Sequence, residues 1–231
     1  MELHLLSSPG EDDLRWIVEA CRPYLENKPG PTLAFLPLAS LFAEKRLAQT
    51  ERAFKGLARI ETVNTETMEL AEMETILRRA AAVYIPGGNT FLLNHRLHAG
   101  GLLPYLRKKI LAGLPVAAFS AGTILCGPNI ITSEDMNTVE TTYFNGLNLI
   151  PFNFFVHYEE DAYLQANYDD WLADYHVFHE NPVIILADGA YVKVEGRKTQ
   201  LVRGDAWLLR KGEEKEKIVP GKMLKIEDGT S

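Results

Sequence analysis

The chain has 231 residues, of which 46% are hydrophobic and 24% charged, a composition that is typical of a globular protein and excludes a disordered or fibrous chain. Lysine and arginine number 24 against 31 acidic residues, and the net charge of -7 argues against nucleic acid or an anionic membrane as the main partner. We find neither a secretion signal nor 18 consecutive apolar residues, and therefore expect one cytoplasmic domain spanning residues 1–231 without a membrane segment.

Short apolar segments alternate with stretches of helical periodicity over the first two thirds of the chain. The predicted strands are residues 2–6, 32–38, 59–63, 82–85, 115–119 and 147–155. This alternation predicts an α/β fold, with a mostly parallel sheet flanked by helices on both faces. Five short apolar segments follow at residues 183–186, 190–194, 200–202, 206–209 and 216–219. They predict a β-rich C-terminal part of the same domain, in which hairpins extend one edge of the sheet.

The segment 114–128 (LPVAAFSAGTILCGP) contains a candidate nucleophile. Ser120 directly follows an apolar strand and precedes a helix, and such a turn exposes the serine hydroxyl at the edge of the sheet where α/β proteins bind ligands. Ala118 and Gly122 occupy the two glycine positions of the usual Gly-x-Ser-x-Gly pattern, and both are small enough for the turn. The alternative is that Ser120 only caps the helix.

A second turn, PGGNT at residues 86–90, follows the preceding predicted strand and should lie beside Ser120. Gly87 and Gly88 allow backbone amides to approach a ligand closely, whereas Asn89 could cap the next helix. Together with the turn at Ser120, this pattern predicts an oxyanion hole formed by the backbone amides of Gly88 and Ala121.

A serine nucleophile needs a general base and a carboxylate that orients the base. Among the six histidines, His157 follows predicted strand 147–155 and begins a loop, which is where a parallel sheet carries functional side chains. We therefore predict that His157 is the base. Cys21 and Cys126 lack the spacing of a disulfide framework or zinc site, and we expect neither a metal nor a cofactor.

Several motifs resemble one family of serine peptidases, which contains peptidase E, an aspartyl dipeptidase, and cyanophycinase. These motifs are GGNTF at 87–91, FSAGTILCGPNI at 119–130, EDM at 134–136, LNLIPFNFFVH at 147–157 and LADG at 186–189. The resemblance spans nearly the whole chain and implies a class I glutamine amidotransferase-like fold with flavodoxin-like layers. It also implies cofactor-free hydrolysis of short peptides, in which Ser120 attacks the carbonyl and His157 takes its proton. The orienting acid is left open, because the family pattern offers both Asp135 and Asp188.

One departure from the family concerns substrate selection. The family carries Thr-Arg-x-x-Arg after the histidine, whose arginine is implied to bind the substrate's aspartate, whereas residues 167–171 here read NYDDW. Tyr168 and Trp171 become candidate substrate-binding residues, and the neighbouring carboxylates would repel an acidic side chain. We therefore expect neutral, aromatic or basic first residues to be preferred over aspartate. The alternative is that Tyr168 and Trp171 pack inward and another arginine serves the pocket.

The favoured function is a serine dipeptidase acting through an acyl-enzyme on small peptides, as a monomer or a homodimer. Two alternatives have the same fold. One is a binding or regulatory module without turnover, since fold alone does not establish activity. The other is a cyanophycinase-like hydrolase of β-linked or modified aspartyl peptides, which should also need a cationic pocket.

Overall fold

Strands and helices alternate through the first half of the chain in the computed structural model, which describes residues 1–8, 14–26, 28–159 and 161–224. The strands are β1 (Glu2–Leu6), β2 (Thr32–Phe35), β3 (Arg59–Thr62), β4 (Ala82–Ile85), β5 (Val116–Phe119), β6 (Asn153–Phe155), β7 (Val183–Leu186), β8 (Tyr191–Glu195), β9 (Lys198–Arg203), β10 (Ala206–Leu209), β11 (Glu216–Lys217) and β12 (Met223–Leu224). The helices are α1 (Arg15–Leu25), α2 (Ala43–Ala53), α3 (Leu70–Arg79), α4 (Thr90–Ala99), α5 (Leu103–Leu111), α6 (Ala121–Leu125) and α7 (Ala162–Phe178).

The described strands form two sheets, the larger in the order β12-β9-β8-β1-β5-β4-β2-β3. The neighbours from β1 to β3 in this order are all parallel, whereas β8, β9 and β12 add antiparallel strands beside β1. The predicted mostly parallel sheet is confirmed. The carboxyl ends of β1, β5, β4 and β2 therefore lie together at one edge of the sheet.

Helices cover both faces of the larger sheet because successive side chains of a strand point to opposite sides. In β4, Val83 and Ile85 join the core beneath α3, α4 and α5, whereas Tyr84 joins the core beneath α1 and α2. All three side chains are at most 2% exposed. The near-continuous apolar sequence of the central strands follows from this burial on two sides.

The C-terminal strands do not all extend one edge of the larger sheet, and in this respect the sequence prediction is wrong. Strands β7, β10 and β11 instead join β6 in a second sheet of order β11-β10-β7-β6. Its side chains Phe154 and Ile184 enter the main core, whereas Phe155 and Ile185 pack under α7. Both faces of β6 and β7 are therefore apolar, and one is buried against the main core while the other is buried beneath α7.

The predicted strand 147–155 is also shorter in the structure, where β6 covers only Asn153–Phe155. Pro151 has no N–H to contribute to a strand ladder. The preceding backbone bonds to the α6 region instead, since Leu147 N–H donates to Leu125 O and Leu149 N–H donates to Cys126 O. None of the helices that the structure describes has the length and apolar character needed to cross a membrane.

Candidate active site

Ser120 lies at a tight turn between β5 and α6. Its φ of 51° is in the left-handed region that residues with a side chain rarely adopt. The Ser120 N–H points to the end of β1, where it lies 3.0 Å from both Leu6 O and Ser7 O. Gly122 packs so closely on β4 that a Cβ at this position would lie 2.4 Å from Ile85 O. Packing therefore requires glycine at position 122, two residues after Ser120.

The side chains of Ser120, His157 and Asp188 form a continuous hydrogen-bonded chain. His157 Nε2 lies 2.9 Å from Ser120 Oγ, and His157 Nδ1 lies 2.7 Å from Asp188 Oδ1. With the Nδ1–H donated to the carboxylate, Nε2 is the ring atom that can accept the serine proton. The arrangement has the connectivity that a serine nucleophile, its base and an orienting acid require.

Ser7, which follows β1, connects the backbone of His157 with the side chain of Asp188. Its hydroxyl accepts a hydrogen bond from His157 N–H at 2.9 Å and donates to Asp188 Oδ1 at 3.1 Å. The backbone of His157 is itself unusual, with a φ of 59°. The hydrogen bond to Ser7 holds this strained backbone in place and directs the imidazole toward Ser120.

Burial and the neighbouring acidic groups act on the pKa of His157 in opposite directions. Burial lowers the pKa of His157, but the hydrogen bond and charge of Asp188, with smaller effects of Glu134 and Asp135, raise it above the ordinary value. The hydrogen bond from His157 lowers the pKa of Asp188, against a smaller effect of burial. Asp188 is therefore ionised near neutral pH, and it stabilises the imidazolium that forms when His157 takes a proton.

Asp135, the second candidate acid, is bonded elsewhere. Its Oδ2 accepts hydrogen bonds from Thr90 N–H and Thr90 Oγ1, both at 2.7 Å, and from Ser133 Oγ at 3.0 Å. No hydrogen bond joins Asp135 to His157 among the described residues. The carboxylate instead ties the loop after α6 to the first turn of α4, where an anion also interacts favourably with the helix dipole.

The Gly-Gly-Asn turn lies beside Ser120, as the sequence predicted. Gly88 has a φ of 139°, and a Cβ there would lie 2.3 Å from Ala39 O, so both conformation and space require glycine. Asn89 accepts a hydrogen bond from Leu92 N–H as the cap of α4, and a Cβ on Gly87 would meet Ser120 and Phe119. No described hydrogen bond uses the N–H groups of Gly88 or Ala121. Both amides are thus free to bind an oxyanion.

A cavity of about 570 Å³ opens in front of Ser120. Its described lining residues are Arg46, Gly88, Phe119, Ser120, Ile124, Thr132, Ser133, Glu134, Asp135, Val156 and His157. Arg46 comes from α2, with its Cζ 6.0 Å from the centre of the Phe119 ring. No group of three or more His, Cys, Asp and Glu side chains suited to a metal ion occurs within the described ranges.

Tyr168 and Trp171 are not among the described residues that line this cavity. Tyr168 is 6% exposed and packs against Phe155 and Tyr158 in the core beneath α7, whereas Trp171 is 52% exposed with its ring centre 5.8 Å from that of Tyr168. Asp169 is likewise not among the described lining residues, and Lys215 Nζ binds its carboxylate at 2.7 and 2.8 Å.

Three residues at this site were not predicted from the sequence, namely Ser7, Arg46 and Glu134. A signal existed for Ser7, since it is a polar residue directly after a buried strand whose end meets the end of β5. Arg46 lies on a mostly polar helix with several other charged residues, and nothing in the sequence separates it from them. Glu134 lies within the quoted EDM motif, but only the folded loop brings it to the cavity.

Comparisons with known proteins identify relatives along most of the chain. The sequence model described as Peptidase family S51 matches residues 3–202. Peptidase E from Nostoc sp. is 35% identical over 196 residues, which cover 81% of this chain and 79% of that protein. A protein named probable alpha-aspartyl dipeptidase from Drosophila melanogaster is 32% identical over 177 residues, covering 74% and 72% respectively. The crystal structure of a peptidase from an acI-B1 actinobacterium has the same fold, with a TM-score of 0.74, 18% identity and coverage of 97% and 96%.

The close contact between Gly122 and β4 predicts the effect of adding one methyl group. In Gly122→Ala the new Cβ would collide with Ile85 O. We expect a loss of about 1–3 kcal/mol in the free energy of unfolding, typical of overpacking, and slower reaction of Ser120 with a fluorophosphonate. Urea denaturation and labelling rates measure the two effects. Gly212→Ala, at an open turn with φ of 75°, is the control and should lose stability without slower labelling. An unchanged labelling rate in Gly122→Ala would contradict this account of the turn.

Proposed function

The chain belongs to peptidase family S51 and is a serine-type dipeptidase, and we propose that Ser120, His157 and Asp188 are its catalytic triad. The observation that carries the proposal is the pair of hydrogen bonds at 2.9 and 2.7 Å that joins the three side chains. The strained turn at Ser120 supports it, because backbone strain persists where the surrounding structure enforces it and is frequent at active sites.

The proposed reaction forms and hydrolyses an acyl-enzyme. Ser120 Oγ attacks the carbonyl carbon of the peptide bond while its proton passes to His157 Nε2. The N–H groups of Gly88 and Ala121 bind the oxyanion, and His157 then gives the proton to the amine that leaves. Water then attacks the ester carbonyl while its proton passes to His157, and His157 gives that proton to Ser120 Oγ as the bond to the acyl group breaks, which releases the acid and restores the free serine.

Asp188 is proposed as the orienting acid in preference to Asp135. Asp188 accepts the hydrogen bond of His157 Nδ1, whereas Asp135 accepts three hydrogen bonds from Thr90 and Ser133. Asp135 is instead proposed to position the Gly-Gly-Asn turn, since Thr90 directly follows Asn89.

For the substrate, we propose that the peptide carries a carboxylate that binds Arg46. Among the described residues that line the cavity, Arg46 is the one with an arginine or lysine side chain. Its guanidinium makes no hydrogen bond to the described part of the chain. A guanidinium binds a carboxylate through two parallel hydrogen bonds. The relative from Drosophila melanogaster is named a probable alpha-aspartyl dipeptidase, which supports an acidic first residue. This proposal replaces the preference for neutral, aromatic or basic residues, because that expectation needed Tyr168 and Trp171 at the cavity.

Removing the nucleophile or the base should abolish hydrolysis. We expect Ser120→Ala and His157→Ala each to reduce kcat by roughly 10³-fold or more, with the double variant little worse, because triad members act as a unit. Release of free amino acids from Asp-Leu measures the rates. Ser8→Ala, beside the site but outside the proposed triad, is the control and should stay active. Near-normal turnover by Ser120→Ala would contradict the assignment.

Substitution of the two acids should distinguish their roles. We expect Asp188→Asn to reduce kcat on the order of 10⁴-fold, as loss of the orienting carboxylate does in the best-studied serine peptidases, and Asp135→Asn to cost far less. Because His157 must be neutral to act as a base, kcat/KM rises with pH through the raised pKa of His157. Asp188→Asn should move this rise to lower pH, since it removes the main group that raises the pKa. Equal small effects of both variants would mean that neither acid orients His157.

Substrate panels should show the role of Arg46. We expect wild type to favour Asp-Leu over Leu-Leu, Phe-Leu and Lys-Leu by about tenfold or more in kcat/KM, and Arg46→Gln to remove that preference, as expected for loss of a charged hydrogen bond. Arg52→Gln on the same helix is the matched control, because Arg52 does not line the cavity. An equal loss on Asp-Leu and Leu-Leu would instead assign Arg46 to the C-terminal carboxylate. A wild-type preference for Leu-Leu or Lys-Leu would contradict an acidic first residue.

A further inference from the structure

Glu134 lines the same cavity as Ser120 and His157 but has no part in the proposed triad. The loop that carries it is fixed on both sides. Ser133 Oγ donates to Asp135 Oδ2, and Thr90 donates to the same oxygen through its N–H and its hydroxyl. Glu134 is therefore held at the cavity by bonds of its two neighbours, and its own side chain is not used in holding the loop.

The Glu134 carboxylate also differs from its acidic neighbours in its bonding. It makes no hydrogen bond or ion pair with any residue in the described ranges, although the other two carboxylates near Ser120 are both engaged. Asp188 binds His157 and Ser7, and Asp135 binds Thr90 and Ser133. The Glu134 side chain is exposed at the cavity and therefore accessible to a ligand, and a carboxylate without a cationic partner can form a charged hydrogen bond with one.

A dipeptidase that forms an acyl-enzyme must hold the free amino end of the peptide close to its nucleophile. The α-nitrogen is separated from the carbonyl carbon under attack by only one atom, a distance of about 2.5 Å. The receptor for the α-ammonium group must therefore lie in the cavity in front of Ser120. We propose that Glu134 binds the free α-ammonium group of the peptide, a role that rests on the proposed function.

The charges around Glu134 agree with this role. Desolvation raises the pKa of Glu134 to about 7; His157 acts against this shift, whereas Asp135 and Glu159 add to it. Tyr168 also lies within range of its charge, and Arg46 lines the same cavity. The α-ammonium group of a peptide loses its proton at about pH 8. Glu134 and the ammonium group are thus oppositely charged between roughly pH 7 and pH 8, and binding should be tightest there.

The test compares free and N-acetylated Asp-Leu as substrates of wild type, Glu134→Gln and Glu159→Gln. Glutamine keeps the shape of the side chain and removes its charge. Glu159→Gln removes a nearby charge from a residue that does not line the cavity. We expect wild type to prefer the free dipeptide strongly, and Glu134→Gln to reduce that preference by about tenfold or more, as for other charged hydrogen bonds. The change should be a higher KM for the free dipeptide, with kcat and the acetylated substrate little affected, and Glu159→Gln should keep the wild-type preference.

Two further measurements separate this inference from the proposed triad. Fluorophosphonate labelling of Ser120 in each variant reports an intact nucleophile, and protection of Ser120 from labelling by free or acetylated dipeptide reports binding if turnover is too slow to measure. In Glu134→Gln, the component of the pH dependence of kcat/KM near pH 7 should disappear, and the rise due to His157 should move to slightly lower pH because Glu134 no longer raises its pKa. If Ser120 is labelled and required but Glu134→Gln keeps the wild-type preference for the free amino end, the role of Glu134 is wrong and the triad stands. If Ser120 is neither labelled nor required, the proposed function itself fails.

Discussion

The hydrogen bonds around Ser7 hold the site together, because they join three segments that are far apart in the chain. The backbone carbonyl of Ser7 lies 3.0 Å from Ser120 N–H, and its hydroxyl accepts from His157 N–H and donates to Asp188. Since Ser7 directly follows β1, the pairing of β1 with β5 fixes its distance from Ser120. The second sheet brings the other two residues, because His157 follows β6 and Asp188 follows β7, and these strands are parallel neighbours. The geometry of the site therefore depends on how the two sheets meet at the end of β1.

The charges of Glu134 and His157 act on each other, and with the proposed role of Glu134 this coupling would link substrate binding to catalysis. Glu134 raises the pKa of His157, which by itself favours the protonated imidazole that cannot act as a base. An ammonium group bound to Glu134 would cancel that effect and lower the pKa of His157 toward its ordinary value. A peptide with a free amino end would thus favour the neutral base, whereas a blocked peptide would not. Asp188 keeps its hydrogen bond to Nδ1 in either case, so the orientation of the ring does not depend on the substrate.

The parts of the molecule that follow from local pattern were predictable from the sequence. The parallel order of β1 to β5 followed from the alternation of apolar strands and helices, and the turns at Gly88 and Ser120 had small residues where backbone conformation and packing require them. The partner of β6 was not predictable, because β7 and β8 are similarly apolar and only tertiary packing assigns them to different sheets. The difference between Asp135 and Asp188 also depends on the fold, since both are acidic residues in loops. Asp188 lies 31 residues from its partner His157 and Asp135 lies 45 residues from its partner Thr90, and neither separation identifies the pairing.

Residues 167–171 illustrate why a missing motif does not by itself predict specificity. This segment of α7 lacks arginine. Its Tyr168 packs in the core between α7 and the second sheet, and Lys215 forms an ion pair with Asp169. Neither Tyr168 nor Asp169 is among the described residues that line the cavity in front of Ser120. The arginine that lines the cavity, Arg46, comes instead from α2, the helix that follows β2. Because the triad is held by strand ends and the charged lining comes from a helix and a loop, Arg46 and Glu134 can change without disturbing Ser120. If Arg46 binds the substrate carboxylate as proposed, substrate preference is set by residues of a helix and a loop that surround the hydrolytic geometry without forming it.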